Sequence, residues 1–461
     1  MSILPELYIF SFSIFFLLLS LARKKMPVSA AAKTLALAGF AVTLACLNAQ
    51  GELFSGAYRV DLFSQTFKVL LTAGFALVVF MFKNKDEVEN LSEYFMFLGF
   101  STLGLMMLAS TVELISIAIS LEISSFSLYA IVPLRKAQTK TQLEAAMKYL
   151  FFGAVATGIM LYGMGYLYGM AHSTYLKDIM TRMPPLLAQP LGIVALILTL
   201  TAFFFKLSLF PLHFWAPDIY EGASDATTAF IATVPKIAAT ALLIRLTMPA
   251  ASAPSQLATI ITLLAVFSMT IGNLVGLVQK DIKRLLAYSG IAHAGYLMLG
   301  ILSFNKDGNA AAAYYITVYL FMNLACFYVV MLLARKGENV SVNELSGLSR
   351  RSPLLALTLA VASFSLAGIP PTGGFTGKFF LFVSAFREGH LAIVLIAAVN
   401  TVISVFYYLN LVRISYSRES GDLQPLHLAF PEKALCCIFN IIILFFGLLP
   451  FGILDFFRNA V

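Results

Sequence analysis

Lys148, Lys206, Lys236 and Lys378 stand inside runs otherwise apolar enough to cross a bilayer, and Glu122 and His293 stand inside two more. A charged group at bilayer depth costs at least ~2.5 kcal/mol on insertion scales, so ionisable residues there mark ion pathways unless a partner makes them merely structural. Carboxylate, ammonium and imidazole side chains each bind and release one proton, and the chemistry open to this set is proton transfer.

Glu122 lies near the centre of an apolar run. At about 100° per residue, Glu113, Ser116, Ser120, Ser124 and Ser127 share one helical face, and Glu122, Ser125 and Tyr129 share the opposite one. The serines read as small residues for helix packing, whereas a central carboxylate needs a cation or a proton. Lys206 is the natural partner. At an effective dielectric of ~20, widening such a pair from ~4 to ~8 Å would lose ~2 kcal/mol, so small helix movements could load or release a proton. Lys236 follows Pro235 directly, and His293 has Ser289 and Tyr296 at helical spacings. That imidazole reads either as a proton carrier at neutral pH or as a satisfied core histidine. Lys148 follows Glu144 at i,i+4, the spacing of an ordinary helical pair. Lys378 has no carboxylate in its own segment before Glu388 and is a candidate terminus of a proton path.

No nucleotide loop, nucleophile constellation or metal-ligand spacing is present. Cys46, Cys326, Cys436 and Cys437 show no CxxC pattern, which argues against zinc, an iron-sulphur cluster or a disulfide framework. Gly165 and Gly169 signal close helix packing.

The elements that must hold these residues are membrane helices. Of 461 residues 60% are hydrophobic and 12% charged, with a mean hydropathy of +0.87, against roughly 25% charged in soluble domains. The net charge of +8 is spread through short loops, so no phosphate-binding stripe and no nucleic-acid partner is expected. The run from Leu4 to Leu21 is followed by Arg23, Lys24 and Lys25, the reverse of a signal peptide, and reads as an uncleaved first helix.

Fourteen candidate spans follow: 4 to 21, 30 to 48, 62 to 82, 94 to 108, 112 to 134, 142 to 169, 190 to 210, 223 to 248, 255 to 278, 284 to 303, 310 to 334, 353 to 386, 390 to 416 and 433 to 456. The expected fold is an all-α polytopic membrane protein. Eighteen basic residues fall in loops on one side, among them Arg23, Lys24, Lys25, Lys83, Lys85, Arg335, Lys336 and Arg418, and six on the other. Both termini are therefore expected outside an inner (plasma) membrane.

Helices 7 and 12 look discontinuous, the seventh at Pro211 and the twelfth between Gly368 and Gly377. The seventh could also simply end at Pro211. If spans four to eight form one unit and nine to thirteen another, each has a lysine-bearing, proline-interrupted helix in fourth position. An odd number of helices per unit makes the two five-helix repeats inverted, a recurrent transporter design. Lys236 has no lysine counterpart in the thirteenth span, where Asn400 and Asn410 are the polar residues. The expected divisions are a three-helix segment (1–93), a first repeat (94–248), a second repeat (255–416) and a C-terminal helix (433–461).

Five stretches carry a family resemblance: Phe205 to Ala223 with Thr228 to Lys236, Gln279 to Tyr296, Ala367 to Phe380, the Leu-Glu122 stretch, and Leu143 to Tyr149. Together they resemble the antiporter-like membrane-arm subunits of respiratory complex I, most closely the N type. The resemblance implies that Glu122 and Lys206 pair in a first half-channel, that Lys148, Lys236 and His293 lie on a connecting polar axis, and that Lys378 occupies a second half-channel. It implies a subunit of an NADH:quinone oxidoreductase translocase with no redox site or cofactor of its own. NAD(H), FMN, iron-sulphur clusters and quinone would belong to partner subunits, and the M-type and small membrane-arm subunits would be neighbours in the bilayer. The family commonly reads Ala-Pro-Thr-Pro-Val where this chain has Ala223 to Thr227, which leaves the start of the eighth helix open. The competing readings are a subunit of a multisubunit Na+/H+ antiporter of the Mrp type and a non-pumping structural subunit.

Overall fold

The computed structural model describes residues 2–22, 27–82, 88, 90–136, 139–247, 255–334, 338–417 and 425–461. Arg23, Lys24, Lys25, Lys83, Lys85, Arg335, Lys336 and Arg418, on which part of the loop-charge reading rests, lie outside the described residues.

The chain begins with α1 (Leu4–Ala22) and α2 (Val28–Ala45), then a short antiparallel hairpin, β1 (Gly51–Leu53) and β2 (Tyr58–Val60). Next come α3 (Leu62–Met81), α4 (Leu91–Ser110), α5 (Leu114–Ile131), α6 (Thr139–Ala171), α7 (Leu176–Leu187) and α8 (Pro190–Leu207). After α9 (Trp215–Gly222) follow α10 (Asp225–Thr247), α11 (Ser255–Gly276), α12 (Ile282–Leu302) and α13 (Lys306–Leu333). The last elements are α14 (Leu348–Arg351), α15 (Pro353–Ala367), α16 (Gly373–Arg387), α17 (Leu391–Ser415), α18 (Phe430–Leu448) and α19 (Pro450–Ala460). Among the described residues 13 helices are long and apolar enough to cross a membrane, and α15 is a shorter apolar helix. The protein is a mostly helical, polytopic membrane protein.

Two compact units are present, Met1–Ser208 with Gly222–Ile260 and Ala460–Val461, and Leu209–Glu221 with Ile261–Asn459. At the centre of the first, α10 packs on α3, α4 and α8 and is 89% buried over its apolar window. At the centre of the second, α13 is wholly buried against α12, α15, α16 and α18. A helix apolar all round finds its partners on every side, which is why these two lack a polar face. Glycines set the closest crossings. A Cβ on Gly104 of α4 would stand 2.6 Å from the Ser120 carbonyl oxygen of α5, and one on Gly163 of α6 would stand 2.4 Å from the Thr199 nitrogen of α8.

Several expectations are corrected. The fourth span is a full 20-residue helix, not a short one, because it starts at Leu91 and continues to Ser110. Only bounds change in two others: the helix of the seventh segment ends at Leu207 rather than near Pro211, and in the segment 353 to 386, where an interruption between Gly368 and Gly377 is expected, α15 and α16 are separated at Gly368 to Thr372. The last segment also divides, since Pro450 opens α19. Glu113 does not continue the serine face of α5. It is the N-cap, its carboxylate accepting from the Ser116 backbone N–H at 2.7 Å, which satisfies one donor that the helix leaves unpaired. The hairpin and α7 are additional elements.

Candidate proton-transfer site

In the first unit α5, α6, α8 and α10 carry the ionisable residues. The Glu122 carboxylate, half-buried on α5, accepts a hydrogen bond from Thr157 Oγ1 of α6 at 2.6 Å. It opens on a cavity of about 740 Å³ whose other walls are almost wholly apolar, including Leu114, Ile119, Phe126 and Leu161. Lys206 is buried in the last turn of α8, which stops because Ser208 adopts a left-handed backbone at φ 62°. Cations are favoured at that end of a helix.

The Lys206 ammonium and Glu122 do not form the direct ion pair expected of them. The Nζ atom lies 5.4 Å from the ring centre of Tyr149 and 6.0 Å from that of Tyr129, with a long contact of 3.5 Å to the Tyr149 hydroxyl. The two rings meet edge to face at 5.0 Å. Aromatic faces attract a desolvated ammonium through their quadrupoles, and here two of them approach it. Tyr129 is two turns beyond Glu122 on the same helix face, so one face of α5 presents both the carboxylate and a ring that Lys206 approaches.

Lys148 forms the i,i+4 ion pair with Glu144 at 2.6 Å, and both side chains are partly exposed. Lys236 is 2% exposed in the middle of α10. The start of α10 is defined despite the missing prolines. Ser224 Oγ is 2.8 Å from Thr227 Oγ1 and accepts from the Thr227 N–H at 3.4 Å, while Arg135 donates to the Gly222 and Ala223 carbonyls, each at 3.2 Å.

In the second unit His293 is buried on α12, its Nδ1 2.5 Å from the Tyr315 hydroxyl and its Nε2 3.1 Å from the Tyr408 hydroxyl. Tyr408 also bonds Ser289. Beside this group Asn273 donates to the Tyr296 hydroxyl at 3.2 Å and to Asn400 Oδ1 at 3.2 Å, and accepts from the Tyr407 hydroxyl at 3.0 Å. Lys378, on α16, reaches back across the break and donates to the Leu366 and Ala367 carbonyls at 2.9 and 3.1 Å. These are terminal carbonyls of α15, and Gly368 at φ 85° turns the chain there. The Lys378 ammonium also lies 4.6 Å from the Tyr296 ring centre. Hydrogen bonds thus link Tyr296, Asn273 and Tyr407, and separately Tyr408 and His293, with the Tyr407 and Tyr408 rings 4.4 Å apart between the two groups. Lys206 lies in the last turn of α8, and Lys378 lies in α16, beyond the turn at Gly368.

Of the residues singled out in the sequence, Glu122 and Lys206 share one neighbourhood and His293 and Lys378 another. Lys148 is held at its helical carboxylate, and Asn410 bonds Arg413 at an exposed position. Tyr149, Thr157, Asn273, Tyr315 and Tyr408 were not singled out. A lone amide inside an apolar run marks Asn273, and Tyr149 follows Lys148 directly. Among the described residues no three His, Cys, Asp or Glu side chains converge as metal ligands.

Residues 111–404 match the model of the family described as NADH:quinone oxidoreductase/Mrp antiporter, transmembrane. The chain belongs to that family. It is 43% identical to the NADH-quinone oxidoreductase subunit N 2 of Opitutus terrae, covering 100% of this chain and 97% of the relative. A chain of respiratory complex I from Thermus thermophilus superposes with a TM-score of 0.84 at 32% identity, covering 98% of this chain and 99% of that one. A chain of the Mrp complex from Dietzia superposes with a TM-score of 0.87 at 18% identity over 99% and 96% of the two chains, a likeness of fold alone.

Proposed function

We propose that the chain is the N-type, proton-translocating antiporter-like subunit of the membrane arm of a complex I-type NADH-quinone oxidoreductase. The observation that carries this reading is full-length likeness to a subunit N at 43% identity, joined to lysines buried at helix breaks. Quinone reduction would occur in partner subunits, which would hold NAD(H), FMN, iron-sulphur clusters and quinone, and would be coupled to this chain through conformation. M-type and small membrane-arm subunits would flank it in an inner membrane, with both termini outside.

In this reading Glu122 and Lys206 serve a first half-channel, Lys148, Lys236 and His293 a connecting axis, and Lys378 a second half-channel. Lys206 would exchange its proton beside the rings of Tyr129 and Tyr149, and Lys378 against the α15 carbonyls and Tyr296. Segments 94–248 and 255–416 would be two inverted five-helix repeats, between a three-helix segment (1–93) and a C-terminal helix (433–461). Spans 7 and 12 would be discontinuous, and α15 with α16 would complete a set of fourteen. The left-handed residues Ser208 and Gly368 support both breaks.

Isolating the tagged chain from native membranes tests the assignment. Quinone reductase activity should comigrate with it on a native gel. Na+/H+ exchange without quinone reductase would favour the Mrp-type reading instead.

A further inference from the structure

A buried ion pair lies outside the lysine series, in the N-terminal helices. Lys68 of α3 is fully buried, its Nζ 2.5 Å from Glu6 Oε1 of α1, and Glu6 is itself 4% exposed. The Tyr58 hydroxyl donates to the same carboxylate oxygen at 2.5 Å, and the Lys68 ammonium lies 5.2 Å from the Tyr58 ring centre. Burial and the Glu6 charge hold the Tyr58 hydroxyl well above its usual value, which keeps it a donor.

The pair does not stand alone. At 100° per residue, Asp61, Gln65, Lys68 and Thr72 form one polar stripe along α3, and all but Asp61 are buried. Gln65 is fully buried, and neither atom of its amide has a protein partner, nor does Glu6 Oε2. Buried polar atoms without a protein partner call for ordered water, and the Gln65 amide lies on the stripe between Lys68 and Asp61. At the end of the stripe, Arg245 of α10 grips Asp61 with two bonds of 2.8 and 3.1 Å. Asp61 and Arg245 line a cavity of about 1050 Å³ with Gln50, Glu52, Arg59 and Asp178. Lys68 is seven residues from Asp61 and Lys236 nine from Arg245 on the packed α10, so at ~1.5 Å per residue the two lysines differ in depth by only ~3 Å.

We propose that Glu6 and Lys68 form a second proton-binding site of this chain, which exchanges protons with the polar cavity at the Asp61 end of α3. The step is a simple proton transfer. Lys68 gives up one N–H proton to water held at the Gln65 amide and takes one back, with no other bond made or broken. The site would act in series with the translocation proposed above, and so rests on that reading.

The test is proton pumping and quinone reduction in the whole assembled complex carrying the double variant Glu6→Gln/Lys68→Met. Removing both charges together is tolerated where a buried pair is only structural. The proposal expects an assembled complex whose pumping falls at least threefold, with Lys68→Arg recovering most of it. Pumping at the wild-type rate in the assembled double variant overturns it. Should the double variant not assemble, Gln65→Leu decides, because it removes the buried amide and no charge. Lowered pumping supports the relay, and unchanged pumping overturns it. Lys206→Ala, measured alongside, separates the two ideas. If it abolishes pumping while the Glu6 and Lys68 variants do not, only the second site fails. If it too leaves pumping intact, the lysine-series reading fails.

Discussion

Replacing Tyr149 by leucine and by phenylalanine distinguishes two ways of holding the Lys206 charge. The Tyr149 ring centre is 5.4 Å from the ammonium, whereas the hydroxyl makes only a long contact of 3.5 Å. A desolvated cation–π contact is worth about 2 kcal/mol, so Tyr149→Leu should lower the protonated-to-neutral ratio of Lys206 by up to about thirtyfold. Tyr149→Phe keeps the ring and should change it by less than about threefold. A weaker hold on the proton releases it at lower pH. The alkaline limb of the pumping profile should therefore move down by up to about 1.5 pH units in Tyr149→Leu and stay near wild type in Tyr149→Phe. The assay is dye quenching in inverted membranes across pH, with a native gel to confirm assembly. If phenylalanine is as damaging as leucine, the hydroxyl carries the effect and the ring-face account is wrong; if neither variant moves the profile, Tyr149 has no part in holding the charge.

Three other outcomes follow from the same geometry. Asn273→Leu leaves the Tyr407 hydroxyl without its acceptor and should destabilise the second unit by about 1–3 kcal/mol, read as a lower melting temperature together with slower pumping. Burial raises the Asp61 carboxyl, but Arg245 and Ser64 together outweigh it and hold the group below its usual value. Its folded value is depressed, so its stabilisation is complete at neutral pH and is lost only as pH falls below about 4; Arg245→Ala should move the acid unfolding transition to higher pH. Ser224→Ala removes the hydroxyl at the start of α10 and should cost about 1 kcal/mol, visible as a small fall in melting temperature with pumping retained.

Much of the architecture was legible because a bilayer demands long apolar runs, and those runs survive without knowledge of any contact. The end of α15 before Lys378 agrees with Gly368, Pro370 and Pro371, residues that disfavour a continued helix. What the runs conceal is pairing. Glu6 and Lys68 are each the one charged residue of an apolar helix, and only folding places them 2.5 Å apart. Glu113 fits the serine face by periodicity, yet capping takes precedence because the first turn of α5 has unpaired N–H groups. Glu122 and Lys206 were opposite charges of suitable depth, but the sequence carries no sign that Lys206 approaches the rings of Tyr129 and Tyr149. The hairpin strands are three residues each, too short for an alternating pattern to register. The short α7 contains Pro184 and Pro185, residues that ordinarily argue against a helix.

The most direct measurement of the central claim is redox-driven proton pumping and quinone reductase activity in inverted membranes for Lys206→Ala beside wild type, with assembly verified on a native gel. The account predicts that the assembled variant loses pumping and quinone reduction together. Persistence of both in the assembled variant would contradict a proton path through Lys206 and leave the chain a structural member of the membrane arm.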